Sequence, residues 1–353
     1  MAVPDVVVAR VGMVTAVGLS AAETAASVQS ATMRFGPIDC LDRRFEPFTV
    51  ATVPDAGLPD LSPEVTNTPG LCARDGRLVR LGARALAECL GPPGRLPARL
   101  PLVLALPEPE RDPRLDAAGF LALLAAQTGR VFDAAGSTSV AAGRAGGLVA
   151  LGRAASLVRS GRSDFALAGG VDSYVDSATL RALDAGRRVK SEGNLDGFIP
   201  GEGAAFLLLA SRSAASAAGL PAMAVVSEVA EGFEKGHLGS KDAYLGEGLA
   251  ATVQALVQAA PPPRPFVSVW SSMNGESHWG REWGVTLLRS RHAFADLYAM
   301  NHPADCFGDT GAAAGVLLAG LASLEASGGP ALVYASSDLG PRASLSVHSG
   351  GGN

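Results

Sequence analysis

Charge is scarce in this chain: Asp, Glu, Lys and Arg make up 18% of 353 residues, against 48% hydrophobic. That balance excludes a disordered polyelectrolyte and supports a large buried core. The 29 basic and 34 acidic residues leave a formal net charge of -5. No run of Lys or Arg interleaves with aromatics, which argues against a nucleic-acid surface. The four cysteines, Cys40, Cys72, Cys89 and Cys306, show no CxxC or other metal spacing. They are expected to be reduced core thiols in a cytoplasmic protein, with no metal and no cofactor. The start, Val3-Pro4-Asp5 running into Val6-Val7-Val8, lacks the basic and apolar regions of a signal peptide. The apolar stretches 143–158 and 311–323 are too short or too rich in small residues to demand membrane insertion. Gly201-Glu202-Gly203 lacks the third glycine of a dinucleotide loop, so Glu202 is expected to make buried structural hydrogen bonds.

Glycine, by contrast, is abundant: 43 residues, implying many tight turns and close backbone approaches. The β-branched run 6–11 reads as a buried strand leading to a helix near 20–31. Helical spacing over 76–90 is stopped by Pro92 and Pro93, and 101–106 follows as a central strand. Residues 143–160 form an apolar, small-residue helix ended by Gly161, with a strand at 164–168. Segments 201–210 and 223–230 read as adjacent strands joined by a turn, and 246–259 as a helix. A strand at 266–272, a small-residue helix at 311–326 and strands at 331–337 and 344–349 complete the chain. A Gly/Ala-rich helix closely followed by a strand thus occurs twice, which favours two similar α/β/α halves over one doubly wound sheet. The halves are placed at 1–215 and 216–353.

Three stretches resemble the β-ketoacyl-acyl-carrier-protein synthases of the thiolase-like superfamily. VGMVTAVGLSAAET at 11–24 resembles their opening strand, loop and helix. RAGGLVALGRAASLVRSGRSDFALAGGVDS at 144–173 resembles the nucleophile helix and its paired-glycine strand, and NLDGFIPGEGAAFLLLA at 194–210 the Asp-Gly-Phe segment. The resemblance implies an α/β fold: a five-layered αβαβα sandwich of two pseudo-repeated halves, normally dimeric. It also implies acyl transfer to a cysteine at the start of the buried helix, with two histidines assisting decarboxylation of a malonyl unit. That chemistry needs a thiolate aimed by a helix N-terminus and donors for a developing enolate.

None of the three positions carries its family residue. Arg144 stands seventeen residues before Gly161, where the cysteine belongs, and a guanidinium has no lone pair with which to attack. Asn274, in Asn274-Gly275-Glu276, replaces the first histidine, and Asp309, in Gly308-Asp309-Thr310, the second. Glu282 falls near the family's aspartate, Ala304 replaces its lysine, and Asp338-Leu339-Gly340-Pro341 stands for the glycine-rich gating loop. The catalytic trio is therefore expected to be degenerate. A buried Arg144 needs a counter-charge, expected to be Asp309 or Glu276, either as scaffold or as an anion or acyl-ligand site.

The stretch 274–283 carries Glu276, His278, Trp279, Arg281 and Trp283 and is read as a loop that either binds a partner or plugs the emptied acyl tunnel. Residues 231–248 read as a surface excursion. The expected function is that of a catalytically inactive synthase homologue, either chain-length-factor-like or an adaptor. Its expected partners are a second thiolase-fold chain, identical or different, and an acyl-carrier or secretion-system protein. The alternative is an acyltransferase with a relocated nucleophile, for which Cys306, with His278 and His302 nearby in sequence, is the candidate.

Overall fold

The computed structural model describes residues 5–92, 96–97, 99–129, 131–259 and 261–350. Pro93 and the Val3-Pro4 start lie outside the described residues. Thirteen strands occur among the described residues. They are β1 (Val6–Thr15), β2 (Gly36–Leu41), β3 (Pro47–Val50), β4 (Leu102–Ala105), β5 (Thr138–Val140), β6 (Phe165–Ser173) and β7 (Glu202–Ser211). The second half adds β8 (Ala224–Val226), β9 (Ala230–Phe233), β10 (Phe266–Ser271), β11 (Phe294–Asn301), β12 (Ala331–Ser336) and β13 (Pro341–Ser349).

The strand order repeats. In the first half it is β5-β4-β6-β7-β1, with β4 parallel to both neighbours and β7 antiparallel to both of its own. In the second half it is β11-β10-β12-β13, with β10 parallel to both neighbours and β13 antiparallel to β12, β8 and β9. β8 pairs with both β1 and β13, joining the two fans into a continuous 11-stranded sheet.

Alternation along each strand assigns the layers, because successive side chains point to opposite faces. In β7, Ala205, Leu207 and Leu209 face the central layer, while Phe206, Leu208 and Ala210 face the outer helices Ala73–Leu90 and Ala117–Gln127. In β12, Val333 and Ala335 point to the same central layer, and Leu332 and Tyr334 point outward, towards Leu249, Val253 and Trp283 of helices Glu247–Ala259 and Ser277–Ser290. The arrangement is an αβαβα sandwich with one central and two outer cores, a fourth and smaller cluster joins β3 to helix Ser177–Ala185, and the middle strands of the sheet are buried on both faces.

The central layer is made by helices Gly146–Arg159 and Ala314–Leu324, each entered through a short 3-10 turn. Their small residues have a steric cause. A Cβ on Gly147 would lie 2.6 Å from the Val316 nitrogen, and one on Gly315 would lie 2.6 Å from the Leu148 nitrogen. The helices therefore cross backbone to backbone, which only glycine at both positions permits.

Several sequence expectations are corrected. β7 and β8 are not adjacent, because β1 lies between them, and their connection contains the helix Arg212–Ala217 rather than a turn. The helix before the proline pair ends first at Gly91, whose φ of 61° breaks the helical path. Segment 231–248 is not wholly a surface excursion: β9 pairs with β13, and buried Glu234 accepts the backbone N–H groups of Gly236 and Gly248 at 3.2 and 2.8 Å. Only Cys89 and Cys306 are core thiols; Cys40 is half-buried and Cys72 exposed, and all four are free. Among the described residues no helix is long and apolar enough to cross a membrane.

Candidate functional site

The two central helices point their N-termini towards one another's strand ends, and each is capped by the opposite half. Ser337, just after β12, accepts the Ala145 N–H at 2.9 Å, while Asp172, in β6, accepts the Ala312 N–H at 2.8 Å. Asp172 is fully buried and held by Arg111, with Arg74 at 3.5 Å. Gly143 and Gly311 hold equivalent places before the two helices, each with φ 53°, a conformation that suits glycine. The N–H groups left over at a helix start favour anions, so a cation at Arg144 opposes the local field.

Arg144 is 2% exposed and tolerates that position through three contacts. Its Nε donates to the Ser336 carbonyl at 2.9 Å, Nη1 to Asp309 Oδ2 at 2.7 Å, and Nη2 to Asp338. Burial works against the charge, but Asp338 and Asp309 outweigh it and hold the guanidinium protonated far beyond its ordinary range. Asn274 Nδ2 reaches the same Asp309 oxygen at 2.8 Å and Glu276 Oε2 at 3.1 Å. Glu276 in turn accepts from Arg188 Nε and Nη2 at 2.7 and 2.6 Å, and Arg188 also binds Asp338. Arg144, Asp309, Asn274, Glu276, Arg188 and Asp338 thus close a ring. Burial pushes the Asp338 carboxyl upward, yet Arg144 and Arg188 overcome it and hold it well below the usual carboxylate range.

All three carried-over positions therefore meet in space. Glu276 does not pair with Arg144 by hydrogen bond, as one expectation had it, but closes the ring through Arg188, which sequence reasoning missed. Arg188 lies in a mixed-charge stretch with no motif to single it out. Asp309 Oδ1 also accepts the Gly311 N–H at 2.9 Å, so the carboxylate is consumed by protein donors on both oxygens.

The aromatic stretch is not a loop. Ser277–Ser290 is a helix, started where Asp196 accepts both the Ser277 N–H at 2.7 Å and its hydroxyl at 2.8 Å. Trp279 and Trp283 are buried, so neither presents an exposed partner patch; His278 is half-buried and Arg281 exposed. The Trp279 indole lies 4.5 Å under the Arg144 guanidinium and 5.6 Å from that of Arg342, and its Nε1 donates to Glu276 at 3.0 Å. Trp283 stacks on Tyr334, with ring centroids 5.1 Å apart. Glu282 is buried and accepts from Arg342 Nε at 2.7 Å. Beside Asp309 remains a cavity of about 20 Å³, the space of a single water.

Cys306 is buried, and burial followed by the neighbouring Asp305 charge pushes its thiol up, away from the thiolate a nucleophile needs. His302 is turned to Asp305 at 2.8 Å, and its ring pKa is raised by that bond. His278 packs against Tyr244 and Trp279. No Cys-His pair is assembled here. Glu202 is buried as expected, accepting from the Val53 N–H at 2.9 Å, Ser173 Oγ at 3.0 Å and Arg77.

Residues 112–215 match the family model described as the beta-ketoacyl synthase N-terminal domain. No curated protein matches the chain. Among solved structures, the ishigamide ketosynthase/chain length factor aligns at TM-score 0.79 and 17% identity, covering 99% of this chain and 100% of that one. A chain from a type II polyketide synthase acyl-carrier protein in complex with its ketosynthase aligns at TM-score 0.80 and 15% identity, covering 99% and 100%. The ketosynthase from module 6 of the bacillaene synthase of Bacillus subtilis 168 aligns at TM-score 0.79 and 15% identity, covering 98% of this chain and 72% of that one. The chain thus has the five-layer fold of the ketosynthase structures, its residues 112–215 match the synthase N-terminal domain, and Arg144, Asn274 and Asp309 stand where the resemblance places a cysteine and two histidines.

Proposed function

We propose that this protein is a non-condensing synthase homologue that acts by association, as an auxiliary subunit in the manner of a chain-length factor or as an adaptor. One observation carries the reading. The positions of the nucleophile and both histidines are tied into a closed ionic ring under Trp279, with no thiolate, no imidazole and no unengaged oxyanion donor among them. Arg144 cannot form a thioester, and Asp309 offers negative charge where an enolate oxygen requires positive.

A second thiolase-fold chain, identical or different, fits as partner. The short end strand β5 has one unpaired edge, which another strand can extend. An acyl-carrier protein or a secretion-system protein is the further partner in the two forms of the proposal. The division at 215/216 is supported by the repeated strand order on either side of it. A cytoplasmic location fits four unpaired cysteines. The test combines turnover and capture: purified protein with malonyl- and acyl-loaded carrier should release no carbon dioxide, and tagged protein from native cells should retain a thiolase-fold or carrier chain. Condensation by the isolated chain would overturn the proposal.

A further inference from the structure

Outside the ring, Glu108 holds a buried carboxylate oxygen that no hydrogen bond satisfies. Glu108, just beyond β4, is 9% exposed, and its Oε1 meets no donor among the described residues. It is wedged against the helix start: a Cβ added at Gly143 would come within 2.5 Å of that oxygen. Glu108 lines a cleft of about 940 Å³ that reaches inward as far as Arg188 and Asp338.

The cleft walls hold six carboxyl side chains and four guanidiniums. Three of the arginines are already engaged: Arg74 with Asp112 at 2.7 Å, Arg111 with Asp172, and Arg188 with Glu276 and Asp338. Glu108, Asp75 and Glu110 are in no described ion pair, against a single such cation, Arg114, so the unspent charge of the cleft is negative. Between the charges run Ala178, Ala182, Leu183 and Leu339, an aliphatic lining.

We propose that this cleft binds an aliphatic amine, with the ammonium on the Glu108 carboxylate and the alkyl chain along the aliphatic lining. This inference is independent of the association role. An ammonium at Glu108 would also offset the nearby Asp338. Burial and then the Asp338 charge, with a smaller push from Asp172, raise the Glu108 pKa to about 7 against the pull of Arg111 and Arg144. Binding a cation must therefore expel a proton from this carboxyl near neutrality.

The experiment is calorimetric titration of the full chain with putrescine at pH 6, 7 and 8, in two buffers of different ionisation enthalpy. A carboxyl titrating near 7 is about one-tenth ionised at pH 6 and about nine-tenths at pH 8, so affinity should rise roughly ninefold. At pH 7 about half a proton per amine should be released. Glu108→Gln, which keeps size and shape, should abolish both the rise and the proton release. Equal binding by wild type and E108Q, or no saturable heat at millimolar putrescine, overturns the proposal. So does affinity that strengthens towards pH 6, which would make protonated Glu108 a donor rather than an anion site. The wild-type pH dependence stands as a test even if the variant fails to fold.

Discussion

Replacing Arg144 by alanine tests whether the ring is structural. The substitution removes contacts to Asp309 at 2.7 Å, to Ser336 O at 2.9 Å and to Asp338, together with the guanidinium over Trp279. Hydrogen bonds to charged groups contribute about 1.5–3 kcal/mol each, but relief comes from the donors that remain. Asp309 keeps Asn274 and the Gly311 N–H, and Asp338 keeps Arg188. The expected net loss is about 3–5 kcal/mol, the usual cost of breaking a buried pair from one side and a large share of a domain's stability. The paired variant Arg144→Met/Asp309→Asn removes both charges while filling similar volume, and should cost less than the sum of its parts by about 1–3 kcal/mol. Urea unfolding followed by circular dichroism at pH 7 measures both. The sign with pH follows from Asp338, whose folded pKa lies below the unfolded value of about 3.9. Its contribution is full above that value and is lost as pH falls through the folded pKa, so the gap between wild type and R144A should persist from pH 5 to 8 and close in strong acid. A single-variant loss under about 1 kcal/mol, or strict additivity in the pair, would refute the argument.

Four further variants have expected outcomes. Trp279→Ala should cost about 3–5 kcal/mol in the same unfolding assay, because a fully packed indole leaves a cavity beside two arginines. Gly147→Ala should lower the melting temperature sharply or leave the chain insoluble, since its Cβ would meet backbone at 2.6 Å, while Gly280→Ala, on an open helix face, should stabilise by roughly 0.5–1 kcal/mol. Glu108→Gln should gain stability relative to wild type as pH rises from 5 to 8, by up to about 3 kcal/mol, because a carboxyl whose folded pKa of about 7 exceeds its unfolded value destabilises the fold progressively between the two. A difference that is flat with pH in differential scanning calorimetry would contradict this.

The parts of the fold that were legible in the sequence are those with uninterrupted periodicity. The small-residue helices, β6, β7 and β12 stand out because each carries an unbroken apolar or small-residue run, with the buried charges Asp172 and Glu202 confined to strand ends. Helix Ser277–Ser290 was hidden for the opposite reason. Its buried face includes Trp279, Trp283, Thr286 and Ser290 at helical spacing, but the polar members and buried Glu282 break the apolar pattern. The family resemblance placed Arg144, Asp309 and Glu276 at one site and charge balance required a partner for the arginine, whereas Arg188 and Glu108 depend on loops folding back from remote segments. The β2-β3 hairpin has only half-buried alternation in β2, so no apolar run marks it in the sequence. An alternating apolar code can reveal sheet faces; it carries no record of which loop supplies a counter-ion.

The reciprocal caps show that the fold does not depend on the residues of the ionic ring for its helix starts. Asp172 and Ser337 anchor the helix starts, and neither belongs to the substituted trio. The anchoring of the two helices and the ionic ring are thus assigned to different side chains. A fold anchored in this way can exchange the residues facing its helix starts without unseating the helices, so those positions are open to reassignment while the five layers stay in place.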